Sequence, residues 1–147
     1  MNVRTFLTAG VLVAVVLSTG CSDGKKEKPV YKVRGRVTFD GKPVAKAAVS
    51  FYPVDPNDRA TPSHATTDDD GNFVMHTYRD GDGVPAGEHI VTLYWPGPRV
   101  KKEKGADPDE GESVAPDRLK GEYAQAGKSK LRANVREQDN EINFKLP

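Results

Sequence analysis

Val33-Arg34-Gly35-Arg36-Val37-Thr38-Phe39-Asp40-Gly41-Lys42-Pro43 decides how the chain folds. Val33, Gly35, Val37 and Phe39 fall on one face of an extended segment, with Lys32, Arg34, Arg36 and Thr38 on the other. That period of two is expected of a strand with one face buried. Asp40-Gly41-Lys42-Pro43 then reads as a tight turn, in which Gly41 can take positive φ.

The same punctuation recurs downstream. A second strand is expected from Val44 to Tyr52, burying Val49 and Phe51, with Pro53 and Pro56 ending it. A short strand follows at His64 to Thr67, then the turn Asp68-Asp69-Asp70-Gly71-Asn72 and a strand from Phe73 to Tyr78. After Val84-Pro85-Ala86-Gly87, the residues His89, Val91, Leu93 and Trp95 alternate with Ile90, Thr92 and Tyr94. Both sets are largely apolar, which marks a central strand. Asp117 to Tyr123 is expected to form a single helical turn, setting Leu119 and Tyr123 against the core at i, i+4 spacing. Leu131, Ala133 and Val135, and finally Ile142, Phe144 and Leu146, alternate as the last two strands. About seven short strands separated by Gly, Asp and Pro turns predict an all-β fold, a single antiparallel β-sandwich over residues 30–147.

Composition agrees with a thin core. Charged residues make up 29% of the chain and the mean hydropathy is −0.63. Removing Arg4 from the 22 basic residues leaves 21 against 21 acidic ones beyond the first twenty residues, a formal balance of zero. Such a balance offers no basic stripe for nucleic acid. One cysteine cannot form an internal disulfide, so the fold must rest on apolar packing between sheets.

That cysteine, Cys21, follows Leu17-Ser18-Thr19-Gly20 and the apolar run from Phe6 to Leu17, with Arg4 as a positive start. The run is shorter than the ~20 apolar residues that span a bilayer, so residues 1–20 read as a signal segment. They resemble a bacterial lipoprotein signal, although Ser18 stands where that family usually places Leu. The resemblance implies cleavage before Cys21 and acylation of its thiol. It also implies an anchor to a bacterial membrane, with the domain facing the periplasm or exterior. Ser22 after the cysteine points to the outer membrane under the usual sorting rule for such proteins. Ser18 and Gly20 also satisfy ordinary signal cleavage, which would leave a free thiol. Residues 21–29, rich in Lys, Asp and Glu, then form a polar tether.

Several candidate sites compete with structural readings. The carboxylates of Asp68 to Asp70 beside Gly71 are the kind that hard cations use. A calcium loop, however, would need an acidic residue or Asn at position 66 and Glu at position 77, and both are Thr. Asp80-Gly81-Asp82-Gly83 reads as a turn for the same reason. His64, His76 and His89 show no short-range ligand spacing, so no metal or cofactor site is expected. Trp95, Tyr94, Tyr78 and Tyr52 are candidates for exposed platforms that bind carbohydrate, against the reading that they pack at the sandwich edge. Residues 97–116 hold two charge runs and are expected to be a flexible loop or a partner-binding one.

Val33-x-Gly35-x-Val37-x-Phe39-x-Gly41-x-Pro43-Val44, Thr67-Asp68-x-x-Gly71-x-Phe73 and Pro85-Ala86-Gly87-Glu88-x-x-Val91-x-Leu93 together resemble the carboxypeptidase regulatory-like domains. Those domains share the transthyretin-like, Greek-key sandwich. Gly81 to Gly87 and Asp117-Arg118-Leu119-x-Gly121-x-Tyr123 are similar to motifs in small lipoproteins of planctomycete-type bacteria. The resemblance implies an accessory interaction or structural module at the cell envelope, without enzymatic activity, contacting a protein or polysaccharide partner. One branch of the transthyretin-like fold is a hydrolase that uses histidines, an arginine and a C-terminal Tyr-Arg-Gly-Ser. This chain ends Phe144-Lys145-Leu146-Pro147, so that activity is the less favoured expectation.

Overall fold

A computed structural model describes residues 27–55, 57–58, 60–98 and 115–147. The signal segment, Cys21 and most of the charged loop lie outside the described residues. Eleven short strands and no helix are present among the described residues. They are β1 (Val30–Tyr31), β2 (Val33–Phe39), β3 (Lys42–Pro43), β4 (Ala48–Pro53), β5 (Ser63–Thr66) and β6 (Asn72–Val74). The chain continues with β7 (Val84–Pro85), β8 (Gly87–Tyr94), β9 (Arg132–Val135), β10 (Asn140–Glu141) and β11 (Phe144–Leu146).

Two sheets make the sandwich. One is antiparallel throughout, in the order β5-β4-β8-β9. The other is built on β2, which pairs antiparallel with β3 and β6 and parallel with β10 and β11. A two-stranded ladder of β1 and β7 completes the fold. The expected all-β sandwich is therefore present, and the parallel pairing of the C-terminal strands adds to it.

β2 divides its backbone between two neighbours. The Val33 carbonyl accepts from Met75 N, and Val37 N donates to Gly71, so the odd residues serve the β6 side. The Lys32 and Arg34 carbonyls accept from Asn140 N and Ile142 N, so even residues serve the C-terminal side. Between β10 and β11 the ladder is interrupted, and the Asn143 side chain fills the gap by accepting from Arg36 N at 2.8 Å. The last strand expected from Ile142 to Leu146 is thus confined to Phe144–Leu146, and a further short strand, β10, precedes it.

The apolar side of β2 faces the core. Val33, Val37, Val49, Phe51, Met75, Val91 and Leu93 have no solvent exposure. Phe144 joins the sheets, meeting Phe51 edge-on with ring centroids 6.2 Å apart and stacking on Phe73 at 6.2 Å. His89, Val91, Leu93 and Trp95 all point inward, and Thr92 on the opposite face is also buried. β8 is thus the central strand that its doubly apolar pattern predicts.

Three local expectations are corrected. The second strand begins at Ala48 and not at Val44, because residues 44–47 carry the chain from one sheet to the other. Lys46 takes φ +60° in that crossing. Thr67 clamps it, its hydroxyl donating to the Val44 carbonyl at 2.6 Å and accepting from Ala47 N at 2.9 Å. The strand expected to reach Tyr78 stops at Val74, because the Asp82 carboxylate gathers the amides of Thr77, Tyr78 and Arg79 into a turn. Asp117 to Tyr123 is not helical. Lys120 and Gly121 have φ of +55° and +76°, and the Asp117 carboxylate accepts from Trp95 N, Leu119 N and Gly121 N. Leu119 and Tyr123 still reach the core.

Gly35 permits the close approach of β2 and the C-terminal segment. A Cβ there would lie 1.7 Å from the Ile142 carbonyl oxygen and 2.8 Å from Phe73 Cζ. Ordinary overpacking costs ~1–3 kcal/mol, and an approach this close to a backbone oxygen is relieved only by moving the C-terminal segment. Gly35→Ala is therefore expected to lower the unfolding free energy by at least that amount, measured by urea unfolding followed through Trp95 fluorescence.

Candidate functional site

The outward side of β2 carries what the core side cannot. Register places Glu141, Arg34 and Val74 in one cross-strand row, and Arg36 opposite Asn72 in the next. Asn143 extends that second row through its bond to Arg36 N. Lys145 and Thr38 make a third row. Together they line a shallow open groove of about 520 Å³, with Gly35, Phe73 and Phe144 at its floor. Three cations against one carboxylate give the lining a formal charge of +2, within a chain whose overall formal charge is +1.

The cations are available. The ion pairs among the described residues are Lys28–Asp58, Lys46–Asp69 and Arg79–Glu27, none of them in the groove. Arg36 commits only its Nε, which donates to the Asp70 carbonyl at 2.8 Å. Val74, on the β6 side of the groove, is 59% exposed. The basic alternation of β2 was readable in the sequence, but the rows contributed by β6, β10 and β11 depend on pairings that local patterns do not reveal.

The candidate aromatic platforms follow the packing alternative at Trp95, which is buried at 8% exposure and offers no exposed binding surface. Its Nε1 donates to the Ala45 carbonyl, its ring meets Phe39 edge-on, and the Arg118 guanidinium covers it at 3.7 Å. Tyr94 is half-buried and donates its hydroxyl to the Ala115 carbonyl. Tyr78 accepts from Lys28 N, and Tyr52 is half-buried on β4.

Pro96 and Asp117 pair as an isolated bridge, and Gly97 N donates to the Pro116 carbonyl at 2.7 Å. The charged loop is therefore pinned where it leaves and re-enters the domain. The acidic turns are also accounted for. Asp68 accepts from Asp70 N, Asn72 N and Asn72 Nδ2, and the Asn72 amide above all holds its carboxyl below the ordinary value. At Asp82 burial raises the carboxyl, but the amides of Thr77, Arg79 and Tyr78 bring it below the usual range.

The three histidines do not converge. His64 and His76 share a backbone bridge, each amide donating to the other's carbonyl. Ser50 Oγ lies 3.0 Å from His64 Nδ1 across the β4–β5 pair, a hydroxyl–imidazole contact that sequence inspection did not locate. A general base acts well when a third group orients it, and among the described residues no carboxylate bonds His64. His89 is buried against Phe51 and hydrogen-bonded to the Gly87 carbonyl at 3.1 Å.

At the end of the expected polar tether, Glu27 pairs with Arg79 at 3.0 Å and Lys28 with Asp58 at 2.6 Å, so these two residues contact the domain. Lys28 in turn holds the Asp58 carboxyl below its ordinary value.

No protein-family model matches the sequence, and no curated protein matches it either. Among solved structures, a DUF3823 family protein from Parabacteroides merdae is similar at 15% identity and a TM-score of 0.44. The alignment covers 81% of this chain and 46% of that one, so the chain spans about half the length of this neighbour.

Burial holds His89 below its ordinary pKa of 6.5, with the Gly87 carbonyl opposing the shift. The unfolded chain therefore takes up a proton at this position before the folded one does, and stability falls as pH drops below about 6.5. Urea midpoints measured across the acid range are expected to show this decline, and His89→Phe is expected to flatten it relative to the parent.

Proposed function

We infer that this protein is a lipid-anchored, non-enzymatic interaction module of a bacterial cell envelope, held at the membrane by acylated Cys21. The observation that carries the reading is the fastening of Glu27 and Lys28 to Arg79 and Asp58, only a few residues beyond that cysteine. Chain from Cys21 to Glu27 can reach at most ~20 Å when fully extended. An anchor at Cys21 would thus hold the sandwich close to the bilayer, entering at the β1 end.

The chemistry of anchoring favours permanence. Each buried CH₂ contributes ~0.8 kcal/mol, and one acyl chain alone binds only marginally. A diacylglyceryl thioether supplies two chains. The ordered motifs from Val33 to Tyr123 support a carboxypeptidase regulatory-like, transthyretin-like affiliation, which suits an accessory module facing the periplasm or exterior. In this reading the groove across β2 is the contact surface.

Mass spectrometry of the mature N-terminus, purified from membranes of the native host, tests the anchor. The expected product is a peptide beginning at Cys21 and carrying a diacylglyceryl mass. Cys21→Ala is expected to release the protein into the soluble fraction or leave it unprocessed. An unmodified peptide beginning at Cys21 or Ser22 would contradict the reading.

A further inference from the structure

We propose that the groove across the outward face of β2 binds a carboxylated polysaccharide. This deepens the interaction role inferred above and rests on it, but the site itself belongs to the folded domain. Arg34 and Lys145 stand on the first and third rows, on either side of the Arg36 row, without an ion-pair partner among the described residues, and Arg36 spends only its Nε on the Asp70 carbonyl. A guanidinium presents a planar fork that matches a carboxylate in two parallel hydrogen bonds. Exposed cations alone would be ordinary surface. Here Arg34 and Arg36 stand on a strand hydrogen-bonded along both edges, and Lys145 on β11 paired to it, which fixes their spacing.

The remaining groups select among anions. Glu141 and Asn72 also line the groove, and their side-chain oxygens are acceptors that suit ligand hydroxyls, whereas Asn143 Oδ1 is taken up by Arg36 N. The concave shape fits a strand of ligand better than a plane. Val74, 59% exposed on the β6 side of the lining, offers apolar contact to the C–H face of a sugar ring. An extended acidic peptide would bind best by adding to a free sheet edge, and β2 has none to offer. The volume, about 520 Å³, lies within the ~300–1,000 Å³ of sites that hold small ligands.

Calorimetry of the detergent-solubilised full protein with polygalacturonate tests the proposal, against dextran, poly-L-glutamate and phosphatidylglycerol vesicles. Polygalacturonate is expected to bind, more weakly as salt rises, and dextran to bind undetectably. Losing two charge-assisted contacts in Arg34→Gln/Lys145→Gln is expected to weaken binding by on the order of tenfold or more. Lys128→Gln/Lys130→Gln, which removes equal charge from an exposed turn away from the groove, is expected to change it little. Arg34→Gln alone is expected to give an intermediate loss, which keeps the test decisive should the double variant unfold.

Equal losses in the two double variants, or no loss in either, would overturn the proposal. Tighter binding of poly-L-glutamate or of the vesicles, abolished by the same groove variants, would overturn it in favour of those ligands. The same titration on Cys21→Ala separates this proposal from the anchoring: unchanged affinity there keeps the groove whatever the mass spectrum shows, and lost affinity removes it as an independent site.

Discussion

Everything in this fold hangs on one strand being hydrogen-bonded along both edges. β2 spends its odd backbone groups on the β6 side and its even ones on the C-terminal segment. Both can approach because Gly35 has no Cβ to meet the Ile142 carbonyl or the Phe73 ring. With both edges occupied, the strand has only its two faces left. One, through Val33 and Val37, closes the core. The other, through Arg34 and Arg36, becomes the middle of a groove whose walls come from segments distant in sequence. Core and candidate site are thus two sides of the same constraint.

A second device compensates for a thin core without disulfides. Asp68, Asp82 and Asp117 each direct a carboxylate at several nearby donors, mostly backbone amides. An ionised acceptor makes hydrogen bonds stronger than neutral ones. These aspartates therefore convert exposed turns into fixed corners. Each corner has a consequence elsewhere: Asp117 seats Trp95 and closes the stem of the charged loop, and Asp82 shapes the turn from which Arg79 reaches Glu27. The wealth of carboxylates at glycine turns, which invites a calcium reading, is explained by this capping.

Much of the fold was legible because alternation reports burial directly. β2 and β8 announced themselves in this way, and so did the inward residues Val49, Phe51, Ala133, Val135, Phe144 and Leu146. What could not be read was decided by partners far away in sequence. The parallel pairing of β10 and β11 with β2 leaves no local signature, and neither does the interruption that Asn143 fills. Leu119 and Tyr123 at i, i+4 spacing suggested a helix, yet Asp117 holds a non-helical turn that buries the same two residues. Trp95, at the end of its strand, was legible as a residue that packs at the sandwich edge, but what it packs against was not. Its cover, Arg118, arrives only after the charged loop returns. The groove was half visible, since the basic alternation of β2 is plain, but its other rows follow from the pairing. The docking of Glu27 and Lys28 was hidden by their polarity, which marks a solvated tether equally well.

The pairing of β2 on both edges is the claim on which core, groove and entry point all depend. Amide hydrogen exchange, resolved by NMR, tests it most directly. The amides of Val37 and Met75 on one side, and of Asn140 and Ile142 on the other, are predicted to exchange slowly and with similar protection, as one cooperative unit. Strong protection of Val37 and Met75 beside rapid exchange at Asn140 and Ile142 would show the C-terminal segment undocked, and would contradict the account.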